Sequence, residues 1–238
     1  MANRLRERLA GRLPALSVGA ISADLLHLGD SIALLERSGV GLLHFDLMDG
    51  QFVPALTVGP AFVKAARTTM LKDVHLMAQD PLPLVAECAA AGADIITVHP
   101  ESCAHPHRVL QAIAELKCAS DPNRPVARGV ALNPSTPVAA LEPFLDEIDM
   151  VVLVAVNPGF AGQKYIASTG PRLAQARALA GTRDLLFCVD GGVTLQNIGR
   201  IAGLRPDIVV AGSAVFAGDP AENVRALQGA LRTKVTTA

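Results

Sequence analysis

The sequence predicts an α/β fold, a single closed (β/α)8 barrel of the TIM type. Eight short runs rich in β-branched and aliphatic residues alternate with eight helical patterns along the chain. The unit repeats about once every 30 residues, and a chain of 238 residues suits one barrel of typical size. Half of the residues are hydrophobic, which is ample material for one large core. An open doubly wound sheet is the main alternative, but no GxGxxG motif follows the first strand, which counts against it.

The predicted strands are nearly continuous apolar runs, a pattern typical of parallel strands covered on the outside by helices. Because only 3% of the residues are aromatic, we expect a core that is aliphatic and rich in alanine. In chain order the predicted strands are Leu16–Ile21, Gly41–Phe45, Asp73–Met77, Asp94–Val98, Ala127–Leu132, Met150–Val156, Leu185–Val189 and Asp207–Val210.

The predicted helices fill the intervals between these strands. Asp30 is the expected N-cap of the first helix, and Gly39 follows its end. The segment Ala119–Arg128, which is rich in Pro, Asp and Asn, is expected to be a loop. In chain order the predicted helices are Asp30–Ser38, Ala61–Thr68, Pro83–Ala91, His107–Lys117, Val138–Leu145, Pro171–Ala180, Leu195–Ala202 and Pro220–Leu231.

No linker or shift in composition divides the chain. We therefore expect residues 1–238 to form one barrel domain in which residues 1–14 are a short N-terminal extension. The extension is rich in arginine but lacks the apolar core of a signal peptide. No run approaches the roughly 18 continuous apolar residues of a transmembrane helix, so no membrane span is expected.

Charge and cysteine content narrow the expected partners and compartment. The formal net charge is −1 without any long run of like charge, which argues against a nucleic-acid or anionic-membrane partner. The four cysteines are irregularly spaced and contain no CxxC pair, so they do not suggest a disulfide framework. Reduced thiols of this kind are typical of the cytoplasm, where we expect the protein to be. The cysteines are Cys88, Cys103, Cys118 and Cys188.

Polar residues at the ends of three predicted strands are the first candidates for a functional site. His44 and Asp46 are two residues apart on one strand and therefore face the same side of it. His75 and Asp190 are expected at the tips of neighbouring strands around the ring. In a barrel of this type the active site is at the C-terminal ends of the strands. If the shared side is the interior, two imidazoles and two carboxylates converge there.

These four residues allow two interpretations. They can be polar core residues that satisfy one another by hydrogen bonding, which is the more common explanation for a lone buried histidine. Four such residues on three strand ends favour a functional site instead. Two histidines and two aspartates suit one divalent metal ion, with Zn2+ as first choice and Fe2+, Mn2+ or Co2+ as alternatives.

Glycine-rich strand ends form a second constellation, which would let backbone N–H groups approach an anion closely. Loops after the last two strands often bind phosphate in this fold. The pattern alone is weak, because glycines at strand ends are equally typical of ordinary turns. The residues concerned are Gly159, Gly162, Gly191, Gly192, Gly212 and Ser213.

The chain resembles the ribulose-phosphate 3-epimerase family from Ser22 to about Phe216. Eight motifs stand in the expected order, and together they are far more specific than any single one. They are SAD at Ser22–Asp24, HFDLMDGQFVP at His44–Pro54, VHLM at Val74–Met77, AGADIITVHPE at Ala91–Glu101, ALNPSTP at Ala131–Pro137, VNPGFAGQ at Val156–Gln163, VDGG at Val189–Gly192 and AGSA at Ala211–Ala214.

The resemblance implies a ribulose-phosphate-binding barrel that interconverts ribulose 5-phosphate and xylulose 5-phosphate by inversion at C3. Asp46 and Asp190 match the two catalytic aspartates, and both also match metal ligands together with His44 and His75. Met48 and Met77 match methionines that pack over the metal. The implied substrate-binding residues are His75, Gly159, Phe160, Ala161, Gly162, Asp190, Gly191, Gly192, Gly212 and Ser213.

Three departures from the family pattern concern the pocket. Gly19 stands where the family usually has a serine that contacts the substrate, so that one hydrogen bond is lost unless water or Ser17 replaces it. Val154 and Ala155 stand in place of a usual methionine pair, and Ala161 stands where many members have glycine. The segment Ala119–Arg128 also looks longer than the usual connection. None of these changes touches the four candidate ligands.

Other functions remain open from the sequence. The nearest is a 3-epimerase of another ketose phosphate, such as allulose 6-phosphate. A lyase of the wider phosphate-binding barrels is a second, although Lys72 and Lys164 are badly placed for a Schiff base. A binding protein without activity is a third. In each case the expected partner is a small-molecule ketose phosphate, and the family resemblance implies a homo-oligomer.

Overall fold

The structure is a computed structural model, and it describes residues 4–119, 121–160 and 162–233. The strands of its main sheet are β1 Ala15–Gly19, β2 Leu42–Met48, β3 Leu71–Met77, β4 Ile95–Val98, β7 Ala127–Leu132, β8 Met150–Val154, β9 Leu186–Asp190 and β10 Ile208–Ala211. These eight parallel strands close into a barrel in the order β1-β10-β9-β8-β7-β4-β3-β2, which confirms the predicted fold class. Two further strands, β5 Lys117–Cys118 and β6 Asp121–Pro125, lie outside the barrel.

Helices cover the outside of the barrel between its strands. The sequence Val138–Phe144 forms a 3-10 helix where an α-helix was expected, and Pro143 within it cannot donate an α-helical hydrogen bond. The α-helices are α1 Arg4–Arg8, α2 Leu28–Arg37, α3 Pro60–Ala65, α4 Leu82–Ala90, α5 Pro106–Ala114, α6 Thr169–Ala180, α7 Ile198–Gly203, α8 Ser213–Phe216 and α9 Pro220–Arg232. None of the helices in the described part of the chain has the length and apolar character needed to cross a membrane.

The predicted start of the first helix is wrong. A 3-10 turn at Leu25–His27 leads directly into α2, so the helix starts before Asp30 and that residue lies in its first turn. Asp24 is the capping aspartate of this region, because its side chain accepts a hydrogen bond from the Leu26 amide. The other end is as predicted, since Gly39 follows α2 with φ +73°.

The segment Ala119–Arg128 is not a simple loop. It contains β6, which pairs antiparallel with β5 in the register Lys117↔Pro125 and Cys118↔Asp121. Proline signals turns in a sequence, but it is also tolerated in an edge strand of this kind, which explains the wrong prediction. The last residues of the segment, Ala127 and Arg128, already belong to the barrel strand β7.

Each barrel strand sends alternate side chains inward and outward. On β2, Leu43, Phe45 and Leu47 belong to the core cluster between barrel and helices. Leu42 belongs to a second cluster in the barrel interior, so the residues that alternate with the outer set face inward. The same alternation on β3 and β9 faces Asp73, His75 and Asp190 into the barrel. Apolar residues therefore fill the lower interior, and polar residues stand above them.

Helix α1, within the predicted N-terminal extension, packs into the amino-terminal end of the barrel. Leu5 and Leu9 are almost fully buried and join the interior cluster. An ion pair between Arg8 and Asp94, 2.5 Å apart, ties this segment to the start of β4. The helix therefore fills the end of the barrel opposite the C-terminal strand ends.

Candidate active site and metal centre

Strand register brings the predicted site residues to common levels in the barrel. The parallel pairing of β2 with β3 places His44 beside Asp73 and Asp46 beside His75. Because both strands alternate with a period of two, all four side chains face inward. On the other side of β1, the pairing of β10 with β9 sets Val210 beside Asp190.

The four predicted ligands converge at one point. One ligand atom from each of His44, Asp46, His75 and Asp190 lies within 4.8 Å of the others. His44 Nε2 is 3.2 Å from Asp46 Oδ1 and 3.9 Å from Asp190 Oδ2. His75 Nδ1 is 3.6 Å from Asp46 Oδ1 and 3.2 Å from Asp190 Oδ2. Each histidine therefore faces both carboxylates.

The expectation that His75 and Asp190 come from neighbouring strands is wrong. Their strands β3 and β9 are separated by β2, β1 and β10 in the closed barrel. The two side chains meet because both face inward across the barrel, and chain order alone does not reveal which strands face each other. This arrangement brings the two carboxylates to the site from different parts of the ring.

A second set of buried groups holds the two histidines. His44 Nδ1 is 2.8 Å from Asp73 Oδ2, and the Ser17 hydroxyl donates to the same oxygen at 3.1 Å. His75 Nε2 lies 2.9 Å from His99 Nε2. Sequence reasoning missed Asp73 and gave His99 no role. Asp73 was detectable, because it lies two residues before His75 and must face the same side of the strand.

His99 in turn contacts a carboxylate at the rim of the barrel. His99 Nδ1 lies 3.5 Å from Glu101 Oε2, at the outer limit of a hydrogen bond. Glu101 Oε1 accepts from the Asn133 amide at 2.9 Å and from the Thr136 hydroxyl at 2.5 Å. Burial raises the pKa of Glu101, but hydrogen bonds with His99 and Thr136 outweigh this effect and lower the pKa to about 2. Glu101 is therefore a fixed anion at neutral pH.

The electrostatics of the four-residue cluster show strong mutual stabilisation of charge. Burial lowers the pKa of His44, but the carboxylates of Asp46 and Asp73 raise it well above its usual range. Burial likewise lowers the pKa of His75, yet hydrogen bonds with Asp190 and Asp46 raise it to about 9. For Asp46, burial raises the pKa, and the two imidazoles reverse this and hold it below its usual range.

The cluster fits a divalent metal ion. The buried His75 Nδ1 has no hydrogen-bond partner among the described residues, although it faces two carboxylates. An unpartnered buried nitrogen is costly, and a metal would use its lone pair. Two imidazoles and two carboxylates are a donor set that several divalent transition metals accept. The partners of His44 Nδ1 and His75 Nε2 are of the kind that orient metal-binding histidines.

A cavity of about 320 Å³ opens above the cluster at the C-terminal end of the barrel. Asp46 and Asp190 reach its floor, whereas His44 and His75 do not line it. Ala161, a predicted substrate-binding residue, lies outside the described residues. The other predicted residues that line the cavity are Met48, Met77, Gly159, Phe160, Gly162, Gly191, Gly192, Gly212 and Ser213.

Two glycines after β9 allow the backbone to approach closely there. Gly191 and Gly192 have φ angles of +99° and +67°, which residues with side chains rarely adopt. A Cβ atom at Gly191 would lie 2.5 Å from the Val156 side chain, and one at Gly192 would lie 2.7 Å from the Tyr165 backbone. These positions need glycine for both conformation and space, so they are more than ordinary turn residues.

The pocket wall differs from one expectation at β1. Ser17 donates to Asp73 and is fully buried, so it does not replace a substrate contact at Gly19. Ser22 lines the cavity instead, and a Cβ atom at Gly19 would lie 3.9 Å from its hydroxyl oxygen. Across the cavity, Phe160 is 63% exposed although it is a large apolar residue.

Comparison with known proteins gives one consistent family. The model of the ribulose-phosphate 3 epimerase family matches residues 15–216. Ribulose-phosphate 3-epimerase of Bacillus subtilis (strain 168) is 43% identical over 201 residues, which are 82% of this chain and 89% of the relative. The enzyme of the same name from Escherichia coli (strain K12) is 41% identical over 201 residues, covering 82% of this chain and 86% of the relative.

Solved structures agree with the fold at much lower identity. The 3-hexulose-6-phosphate synthase of Salmonella typhimurium has a TM-score of 0.64 and 22% identity, over 91% of this chain and 98% of the other. Phosphoribosyl anthranilate isomerase of Thermus thermophilus has a TM-score of 0.59 and 18% identity, over the same shares of the two chains. At this identity the likeness concerns the barrel fold alone.

Proposed function

The chain belongs to the ribulose-phosphate 3-epimerase family, and from this premise we propose how its residues carry out the reaction of that family. The protein is an isomerase that interconverts D-ribulose 5-phosphate and D-xylulose 5-phosphate. One observation carries the assignment of the site: ligand atoms of His44, Asp46, His75 and Asp190 lie within 4.8 Å of one another below the cavity. The named relatives do not favour the alternative of a hexulose phosphate.

The chemistry requires a proton to leave C3 and return on the opposite face. The C3 proton is acidic because the neighbouring C2 ketone can take up the charge as a planar enediolate. Asp46 and Asp190 supply the two acid/base groups, and both carboxylates face the cavity from different parts of the barrel wall. In each direction one carboxylate removes the proton while the other, in its protonated form, returns one from the opposite side.

His44, Asp46, His75 and Asp190 would together hold one divalent ion, for which we propose Zn2+ first and Fe2+, Mn2+ or Co2+ as alternatives. A bound ion of this kind supplies Lewis-acid stabilisation of the negative charge on the substrate oxygens. The protein contributes the fixed positions of the two carboxylates, because each lies against both imidazoles in a buried setting. Fixed acid/base groups remove much of the entropic part of the barrier.

The glycine-rich strand ends would bind the substrate phosphate. Gly191, Gly192, Gly212 and Ser213 lie together on the cavity wall after β9 and β10, where barrels of this type often bind phosphate. Phosphate oxygens accept hydrogen bonds from backbone amides that closely approaching glycines leave accessible. The segment from Gly159 to Gly162 forms the opposite wall and would contact the sugar. Met48 and Met77 would pack over the ion and keep water away.

Two wider proposals accompany this function. The cysteines of the chain are all free thiols, which supports a cytoplasmic location. We also propose a homo-oligomer. Its support is the large exposed apolar side chains at the C-terminal end of the barrel, including Leu26 at 91% exposure and Leu56 at 79%.

The function is tested by assaying C3 epimerisation of ribulose 5-phosphate before chelation, after chelation and after return of Zn2+, Fe2+ or Mn2+. We expect activity to depend on metal and to fall about 10²- to 10⁴-fold in Asp190→Asn, because one proton-transfer group is lost. Asp146→Asn, which changes an exposed aspartate paired with Arg183, is the matched control and should keep full activity. Full turnover by Asp190→Asn, or by protein shown to be metal-free, would contradict the proposal.

A further inference from the structure

The two histidines of the metal centre present opposite ring nitrogens to it. His44 faces the carboxylates with Nε2, and His75 faces them with Nδ1. A nitrogen that binds a metal must carry a lone pair, so the ring proton of each neutral histidine has to be on the other nitrogen. The two centres of protonation are therefore different atoms, and something must select each of them.

For His44 the selecting group is plain. Its Nδ1 is 2.8 Å from the buried Asp73 carboxylate, which can accept a hydrogen bond but cannot donate one when ionised. The proton is therefore held at Nδ1, and Nε2 keeps its lone pair. This is the common arrangement in which a carboxylate orients a metal-binding histidine.

His75 has no carboxylate in the corresponding position. Its Nε2 lies 2.9 Å from His99 Nε2, and a contact between two ring nitrogens needs one donor and one acceptor. If His99 donated, the proton of neutral His75 would be on Nδ1, between the two carboxylates, and the metal-binding lone pair would be lost. A competent centre thus needs His99 to accept at Nε2 and to carry its own proton on Nδ1.

The surroundings of His99 are built for that state. Its Nδ1 is 3.5 Å from Glu101 Oε2, and no other hydrogen-bond partner of Nδ1 is present among the described residues. A carboxylate there favours a proton on Nδ1. Glu101 is itself held by the Asn133 amide and the Thr136 hydroxyl. The ring of His99 is fully buried and lies 5.0 Å from the Phe52 ring, so it cannot swing away.

We propose that His99, backed by Glu101, is a positioning residue that fixes His75 with Nδ1 as its metal-binding atom. The chain of contacts runs from the carboxylate of Glu101 through His99 to His75, and it crosses the ends of β3 and β4. His99 acts through His75 and touches neither substrate nor metal. The inference rests on the metal centre of the proposed function, and its test is designed to separate the two.

The experiment measures Zn2+ affinity by competition with a chromophoric chelator, and the visible absorption of the Co2+-loaded protein. The variants are His99→Leu, His99→Gln and Glu101→Gln. His99→Leu removes the acceptor, and we expect its affinity for Zn2+ to fall about 10- to 100-fold with a changed Co2+ spectrum. His99→Gln keeps an acceptor oxygen within reach of His75 Nε2 and should stay within about 5-fold of the unsubstituted protein. Glu101→Gln should lie between these two.

The matched control is His107→Leu. His107 also contacts a phenylalanine ring, at 4.8 Å from Phe144, and a glutamate, at 2.7 Å from Glu147, but it lies on α5, away from the metal centre. It should leave Zn2+ affinity and the Co2+ spectrum unchanged. At saturating Zn2+ the kcat of His99→Leu should recover towards that of the unsubstituted protein, because the acid/base groups are intact.

Each outcome decides between the claims. If the unsubstituted protein binds no metal, or if His75→Leu binds as well as it does, the metal centre itself is wrong. If the unsubstituted protein binds metal while folded His99→Leu binds within about twofold of it, the positioning role is wrong and the centre stands. Should His99→Leu fail to fold, equal affinity in His99→Gln, Glu101→Gln and the unsubstituted protein would contradict the role of Glu101 and with it the proposal.

Discussion

At the scale of single residues, Gly192 combines two constraints that usually occur apart. Its φ of +67° disfavours any residue with a side chain, and a Cβ atom would lie 2.7 Å from the backbone of Tyr165. Tyr165 cannot simply rotate away, because the atoms concerned are its own Cα and N. The glycine thus sets how closely the loop after β9 approaches the segment that precedes α6.

We predict that Gly192→Ala lowers the free energy of unfolding by about 2–4 kcal/mol, from the unfavourable φ and from displacement of the Tyr165 backbone. It should also raise KM more than it lowers kcat, because phosphate binding is disturbed while both aspartates remain. Urea unfolding and steady-state kinetics measure the two effects.

Gly39→Ala is the control for Gly192→Ala. Gly39 has a φ of +73°, but no atom lies within 4 Å of the position that a Cβ atom would take there, so only the conformational cost remains. We expect about 1 kcal/mol of destabilisation and unchanged kinetics. Equal effects of the two substitutions on stability and KM would mean that the close approach at Gly192 has no importance.

The residue scale also shows how much of the site follows from sequence. His44, Asp46, His75 and Asp190 were predictable as one cluster, because a period of two fixes which strand residues face inward and family motifs mark the strand ends. Asp73 was accessible by the same period. His99 and Glu101 were not, because His99 follows the end of β4 and their contacts depend on the 3-10 turn at Pro100–Ser102.

At the scale of elements, helix α1 illustrates a structure that charge pattern concealed. Its arginines suggested an extension, whereas Leu5 and Leu9, four residues apart, form one buried face of a helical turn. They cover the apolar lower interior at Ala15 and Leu42, which would otherwise be open to water. The hairpin of β5 and β6 was missed for a related reason, since proline and asparagine are equally typical of loops and edge strands.

We predict that Leu9→Ala lowers the free energy of unfolding by about 2–5 kcal/mol, because it leaves a cavity at the closed end of the barrel. Glu7→Ala changes an exposed residue of the same helix and should alter stability by less than about 0.5 kcal/mol. Chemical denaturation of the metal-loaded enzyme measures both. The kcat of folded Leu9→Ala should be normal, since α1 lies at the end of the barrel opposite the cavity; a matching loss of kcat would contradict this separation of the two ends.

At the scale of the whole molecule, the closed barrel separates a stabilising end from a reacting end. Interior side chains change along the axis from leucine, isoleucine and alanine to histidine and aspartate. The cavity is then assembled from strands on every side, with β1, β2, β8, β9 and β10 each contributing wall residues. Closure of the ring was predictable from the eight repeats, but the set of residues that meet across it was not, because it depends on the register of all eight strands.

The shape of this shared cavity bears on substrate preference through Gly19. The residue lines the wall at the end of β1, where a Cβ atom would be 3.4 Å from the Gly212 Cα and 3.9 Å from the Ser22 hydroxyl oxygen. Both distances are ordinary contacts, so a serine side chain fits without displacement of the backbone. Gly19 therefore leaves a small space that a longer substrate can occupy and that a hydroxyl group can fill.

We predict that Gly19→Ser raises kcat/KM for ribulose 5-phosphate about 2- to 10-fold, the value of one added hydrogen bond, and lowers it for a hexulose 6-phosphate that needs the space. Parallel kinetics on the two substrates measure the change in preference. Gly29→Ser, at an open position in α2, should leave both values unchanged. If Gly19→Ser instead lowers kcat/KM for both substrates alike, the space at Gly19 is needed for the reaction itself, and the wall at β1 does not discriminate between the two chain lengths.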